Sequence, residues 1–357
     1  MTSPVDAFQQ LVDLFDHRGD QVLEIEIIPP SLGSSFLKDG CAVGISKKAL
    51  IQAYMVARRV FFETCISMSS NELVADLLRE QSSSVANKEK FVTEIMLLFD
   101  CEHLTAANWR KCRILAALSQ HEGPSIQTSQ QTRMLKTELT LLQSYQCSPL
   151  PRHTKSPTLW SHRLWTLEHL INLMKLSVDT LLDLQRHELE VVLRAAELHP
   201  RNYYAFTYAR HLRSLLVRTA ATITTESISC WELRLAKALL SPVLDWCLAH
   251  PRDISGWSFG LHVLGQCEDR QSHVEAVKRV LQFALDVGWE GESLWTFVDQ
   301  AVRRFDLEDT VVNECLPLPR TLEGSGAVAE DKTAQASWRA WLSRAQAHWT
   351  ACKADRS

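Results

Sequence analysis

The sequence predicts an all-α fold: an α-α superhelix of about five helical-hairpin repeats, with a short irregular N-terminal arm and a C-terminal capping helix. Three observations predict it. An aromatic anchor recurs at Trp109, Trp160, Phe206, Trp257 and Trp295, with gaps of 51, 46, 51 and 38 residues that suit helical pairs with variable connections. Four positions before each anchor stands a residue type favoured at a helix N-cap: Thr105, Ser156, Asn202, Asp253 and Gly291. Upstream of each cap lies an amphipathic segment, such as "RHELEVVLRAAELHP", where Leu189, Val192, Leu193 and Ala196 fall on one helical face. A single hairpin cannot bury both its faces, so stacking is expected.

Along the chain, "QVLEIEIIPPSLG" alternates Glu with Ile and ends in Pro-Pro, so Val22 to Ile28 reads as a short strand or an extended arm. "ISKKALIQAYMVARRVFFE" and "SSNELVADLLRE" read as leading helices. Residues 1–87 form this arm with its helices, 88–305 the repeats, and 306–357 a linker with a terminal amphipathic helix. Polar stretches at Gln81–Lys88, Gly123–Arg133 and Thr321–Thr333 read as connectors. Within the repeats, Pro157 falls at a first helical position, where its missing N–H costs nothing. His199 and His250 close two helices, where partial positive charge suits the carbonyl end, and the following Pro prevents continuation. At the far end Trp338, Trp341, Ala345 and Trp349 make a stripe that caps the last repeat or binds a partner.

Composition removes several function classes. A net charge of −4 over 357 residues gives no general case for nucleic acid. No apolar run reaches the length of a membrane span, and the opening residues do not form a signal peptide. Ten cysteines without a C-x-x-C pair, among them Cys65, Cys101, Cys147 and Cys230, read as reduced, buried thiols of a cytoplasmic protein. No metal-binding His pair, phosphate-cradling glycine loop or nucleophile turn occurs, so a self-contained active site and a metal or other cofactor in this chain are not expected.

With these residues in view, "HPRNYYAFTYAR" and "TKSPTLWSHRLW" resemble the repeat of protein prenyltransferase alpha subunits, whose core reads roughly P-K-N-Y-x-x-W-x-x-R-R. "LLFDCEHLTAANWRKCRIL" resembles the opening repeat of the divergent branch called protein prenyltransferase alpha subunit repeat-containing protein. The likeness covers about residues 88–305 and, more weakly, the N-terminal arm. It implies a crescent of hairpins around a separate beta subunit that holds zinc, activates a protein cysteine as thiolate and binds the isoprenoid. For the divergent branch it implies a geranylgeranyltransferase type II beta subunit as partner, geranylgeranyl as the prenyl group, and a cysteine-bearing protein as acceptor. The alpha subunit contributes groups near the isoprenoid diphosphate. By the same resemblance Lys155 stands at the diphosphate-side position, five before Trp160, while Pro157 replaces the expected Tyr. Asn202 and Tyr203 are kept, Tyr204 replaces His and Phe206 replaces Trp, and the last two repeats lack the Arg after the anchor.

Each candidate has a structural alternative. Lys155, Arg201 and Arg252 precede caps, where a cation opposes the helix dipole and suits an approaching anion, or is a solvated turn residue. Asn202 reads as a cap that could also touch substrate. Of Tyr203 and Tyr204, one is expected between helices and the other on the concave surface. Arg163 and Arg210 are expected to stack or to pair with a carboxylate of a neighbouring repeat. Pro157 and the missing arginines keep open a second reading, a helical-repeat scaffold without prenyltransferase activity.

Overall fold

The computed structural model describes residues 3–67, 84–119, 124–174, 176–311, 343–345, 347 and 349. "SSNELVADLLRE", Thr321–Thr333, Trp338 and Trp341 lie outside the described residues, as does the side chain of Cys65. The regular structure among the described residues is helical apart from one small sheet, and the chain divides into two compact units, residues 1–215 and 216–357.

In the first unit, α1 (Pro4–Asp16) starts from a reciprocal capping box between Ser3 and Asp6. A three-stranded sheet follows: β1 (Glu24–Ile28), β2 (Phe36–Asp39) and β3 (Ala42–Ser46), in the order β1-β3-β2. β1 and β3 run parallel with Ile25 opposite Val43 and Ile27 opposite Ile45; β2 and β3 run antiparallel. The outer edge of β1 is satisfied by a helix: Leu23 N–H donates to Ser144 Oγ at 2.9 Å and Ile25 N–H to Ser148 Oγ at 2.7 Å. Two hydroxyls one turn apart thus cover an edge that would otherwise offer itself for pairing. After α2 (Lys47–Ser67), the hairpins begin with α3 (Ser84–Phe99) and α4 (Leu104–Leu118), then α5 (Pro124–Gln146) and α6 (Pro157–Leu173). Leu11, Ile25, Ile45, Ala53, Ile95, Leu141 and Tyr145 share one buried core, so the N-terminal arm is not irregular: helix and sheet are integral to the first hairpins.

α7 (Val178–Leu198) and α8 (Tyr203–Ile223) form the third hairpin, and the division between units falls inside α8. In the second unit, α9 (Ile228–Ala249) and α10 (Ile254–Leu264) form the fourth hairpin, and α11 (Arg270–Val287) and α12 (Glu292–Arg304) the fifth. Gly288, at φ +64°, ends α11 in the left-handed conformation that a Cβ disfavours. Trp349 is buried and its Nε1 donates to Asp299 Oδ1 on α12 at 2.8 Å, so the described part of the terminal stripe covers the last hairpin. Among the described residues, no helix is long and apolar enough to cross a membrane.

Two connector assignments fail. α3 starts at Ser84 and α5 at Pro124, so residues 84–88 and 124–133 are helical. The segment "MLKTELTLLQSY" is helical as expected, but the turns before it in α5 escaped notice because Gln131 looks like a surface residue, whereas it is buried and donates to the Ala117 carbonyl at 3.0 Å. The thiols also differ from expectation. Cys101, Cys247 and Cys267 are buried and Cys147 is half-buried, but Cys41, Cys112 and Cys230 are exposed.

Candidate functional site

The five anchors stand in the second helix of each hairpin and are all buried, from 1% exposed at Phe206 and Trp257 to 8% at Trp109. Four of the five caps stand at the expected offset. Ser156 Oγ accepts from Leu159 N–H at 3.1 Å, Asn202 Oδ1 from Ala205 N–H at 3.2 Å, and Asp253 Oδ1 from Ser255 and Gly256. Gly291 is the N-cap of α12 without a side-chain bond. Thr105 is not a cap. It lies inside α4, and His103 takes the position, its Nδ1 accepting from Ala106 N–H at 3.3 Å. An imidazole nitrogen aligned with the first turn does what a hydroxyl does elsewhere.

Each tryptophan of the second, fourth and fifth hairpins ties down its own turn. Trp160 Nε1 donates to the Thr154 carbonyl at 2.8 Å, Trp257 Nε1 to Pro251 at 3.0 Å, and Trp295 Nε1 to Trp289 at 2.8 Å. The acceptor is always six residues upstream. The same rings contact the following hairpin: Trp160 lies 4.9 Å from Tyr208, and Trp257 lies 4.9 Å from Phe297. Tyr208 and Phe297 both stand two residues past an anchor, so one packing relationship occurs in both units.

Around the second and third turns these ties knit neighbouring hairpins together. Asn202 is fully buried, and its Nδ2 donates to the Thr154 carbonyl at 2.7 Å and to Ala195 at 3.3 Å. The Thr154 carbonyl therefore accepts from Trp160 and Asn202 at once, using both lone pairs. Thr154 Oγ1 meets His199 Nδ1 at 2.7 Å, and Lys155 Nζ donates to the Pro200 carbonyl at 2.9 Å. On the other side, Ser156 Oγ donates to the Cys101 carbonyl at 3.1 Å, and Thr158 Oγ1 to Glu102 Oε2. Burial is the largest influence on His199 and pushes its pKa down, with Lys155 adding to it. His199 therefore acts as a neutral link to Thr154, not as a cation at a helix end. His250 keeps the expected end position, its Nδ1 3.0 Å from the Trp246 carbonyl.

Beneath the turns lie buried ion pairs. Arg163 Nε and Nη2 grip the two oxygens of Glu188 at 2.7 and 2.6 Å, and Tyr208 OH donates to Glu188 as well. Glu188 is in α7, so Arg163 makes the inter-repeat carboxylate pair expected of it. Burial opposes the charge of Glu188, but Arg163 and Tyr208 outweigh it and hold the carboxyl below its usual range. One hairpin earlier, Arg110 bonds to Glu138, to Thr93 Oγ1 at 2.9 Å and to the Lys90 carbonyl at 3.1 Å. His162 lies 3.3 Å from Glu138, but burial dominates and lowers its pKa to about 4, leaving it neutral. Arg210 is half-buried, and burial pushes its pKa down.

The expected site residues separate by depth. Lys155 reaches the third turn at the Pro200 carbonyl, next in sequence to Arg201, and Tyr203 and Tyr204 follow on the exposed side, while Asn202 is fully buried. Neither tyrosine packs between helices: Tyr203 is 61% and Tyr204 41% exposed, their rings 5.2 Å apart. The interior places are taken by Asn202, Ala205, Phe206 and Tyr208, and helical periodicity turns positions 203 and 204 outward. Arg201 stands at φ +59°, and its carbonyl accepts from Tyr203 N–H at 3.0 Å. Arg252, in the second unit, lies over the Trp289 ring at 5.8 Å. Sequence reasoning missed Glu102, Thr154 and Glu188. Glu188 alone carried a signal, a carboxylate on the apolar stripe that continues through Leu189 and Val192. Chemically, the surface offers an ammonium, a guanidinium and two phenols. Lys155 spends one of its three N–H donors on Pro200. Among the described residues, no group of three or more His, Cys, Asp or Glu is placed to hold a metal ion.

No curated protein matches the sequence. The profile of the protein prenyltransferase alpha subunit repeat matches residues 186–216, which run from α7 through the Pro200–Asn202 turn into α8. Residues 186–216, with Asn202 capping the turn at their centre, are thus similar to the protein prenyltransferase alpha subunit repeat.

Proposed function

We propose that this chain is the alpha-type subunit of a protein prenyltransferase, inactive alone and paired in the cytoplasm with a zinc-bearing beta subunit of the geranylgeranyltransferase type II kind. The single observation carrying this reading is the repeat match over 186–216, centred on the turn where Arg201, Asn202 and Tyr203 stand beside Lys155. In this reading zinc stays in the partner, where it supplies the acceptor cysteine as thiolate. This chain's part is electrostatic. Lys155 directs its two uncommitted N–H donors, with Arg201 and the Tyr203 and Tyr204 hydroxyls, at negative charge growing on the departing isoprenoid diphosphate. Asn202 positions that surface by holding the turn.

The scaffold reading draws on one observation: Lys155 is already bonded to Pro200, a structural use that needs no ligand. The test is co-expression with a type II beta subunit, followed by transfer of labelled geranylgeranyl to cysteine-bearing acceptors, with Lys155→Met alongside. Complex formation and turnover that Lys155→Met abolishes, with affinity for the beta subunit kept, supports the transferase reading. A complex without turnover supports the scaffold. Neither complex nor turnover, where a known pair is active, overturns the proposal.

A further inference from the structure

A cavity of about 440 Å³ opens between α1, α3, α4 and α5, remote in sequence from the Lys155 turn. Its size is that of a small-molecule site. Phe15, Trp109, Ile114 and Met134 give it an apolar wall, and Arg18, Lys90, Arg113 and Arg133 bring cations to the same space. Two carboxylates on its rim, Asp16 and Asp20, are exposed. Arg110 also lines it, but is committed to Glu138 and Thr93 and serves as wall.

Arg18 is the telling residue. It is 2% exposed, yet its Nε and Nη1 donate to no acceptor among the described residues; Glu94 Oε2 lies 3.6 Å from Nη1, beyond a good hydrogen bond. Buried guanidinium donors without acceptors cost free energy, and a ligand oxygen would remove that cost. Lys90 records the same excess. Burial is the largest influence lowering its pKa, Glu94 opposes it, and Arg110, Arg18 and Arg113 lower it further. Several cations held in one partly dry space repel one another until an anion enters.

We infer that this cavity binds a phosphate dianion, free or as the ester of a compact apolar molecule, through Arg18, Lys90, Arg113 and Arg133. The guanidinium forks match phosphate oxygens, and the apolar wall with Trp109, Ile114 and Met134 suits an ester's body. Trp109 suits that role, being the most exposed of the five anchors. The inference is independent of the prenyltransferase reading.

The test is calorimetric titration of the full chain with orthophosphate, diphosphate and phenyl phosphate, against sodium chloride at matched ionic strength. Saturable binding is expected, weakened at least about tenfold in Lys90→Gln and in Arg133→Gln, since each removes a charge-assisted contact. Lys136→Gln, an exposed change on α5 that does not border this cavity, is expected to leave the affinity unchanged. Tighter phenyl phosphate than orthophosphate assigns an ester; equal affinity assigns the free ion. A response no greater than that to chloride, or equal weakening by Lys136→Gln and Arg133→Gln, would overturn the inference.

Discussion

Lys155 Nζ and the Pro200 carbonyl are 2.9 Å apart, and this bond takes the acceptor that an indole holds in three other hairpins. Pro200 lies six residues before Phe206, as Thr154 lies before Trp160, and a phenyl ring has no N–H to give. Lys155 supplies the missing donor from the neighbouring turn. Its placement is therefore coupled to the loss of the anchor's indole.

That coupling is measurable as a double-mutant cycle in urea. Lys155→Met is expected to cost at most about 1 kcal/mol in the wild type, because water competes for the bond. In a Phe206→Trp background, where the new indole reaches Pro200, the cost is expected to vanish. Equal costs in both backgrounds would refute the substitution of one donor for the other.

Asn202→Ala removes more than a cap. Besides the Ala205 bond, it strips donors from the buried Thr154 and Ala195 carbonyls. The expected loss is about 2–4 kcal/mol, above that of an ordinary cap, by chemical denaturation. His103→Ala should cost about 0.5–2 kcal/mol, whereas Thr105→Ala should stay within about 0.5, locating the first cap.

Glu188→Leu leaves Arg163 buried without its carboxylate, and a loss of about 3–5 kcal/mol is expected. Arg163→Met combined with Glu188→Leu is expected to recover most of it, since the desolvation of both charges disappears together. Thermal melts of the two variants check the pair; a double variant as unstable as the single one would contradict it.

Acid lability follows from two buried histidines. Burial lowers His153 and His162 to about 4, so between that value and the unfolded 6.5 the native state binds fewer protons than the unfolded chain. Stability complete above pH 6.5 is lost as pH falls toward 4, by roughly 3 kcal/mol per histidine at most. Glu138, opposed by burial but held to about 2 by Arg110, adds stability present above 4.5 and lost as pH falls through 2. Urea midpoints at pH 7, 5.5 and 4 should show a shallower decline in His162→Gln than in the wild type.

Local chemistry was legible in the sequence and long-range pairing was not. Ser156, Asn202, Asp253 and Gly291 announced their helices because a cap depends on its own backbone and the next turn. The buried rings announced themselves by recurrence. The helical turns over 124–133 were hidden because Gln131 looks like a surface residue until the Ala117 carbonyl meets it from another helix. β2 and β3 are four and five residues long and are held by partners far along the chain, so no periodicity marks them. The outward turn of Tyr203 and Tyr204 followed from helical phase, but which positions lay inside depended on Asn202 reaching Thr154.

Since the indoles of Trp160, Trp257 and Trp295 each lock a carbonyl of their own turn, each of those hairpins carries its own fastening. Residues can be gained or lost away from the turns without disturbing a lock, and intervals as unlike as 51 and 38 residues coexist for that reason. The shorter interval lies in the helices themselves, α10 and α11 having 11 and 18 residues where α8 and α9 have 21 and 22, so helix length varies while the capped turn keeps its lock.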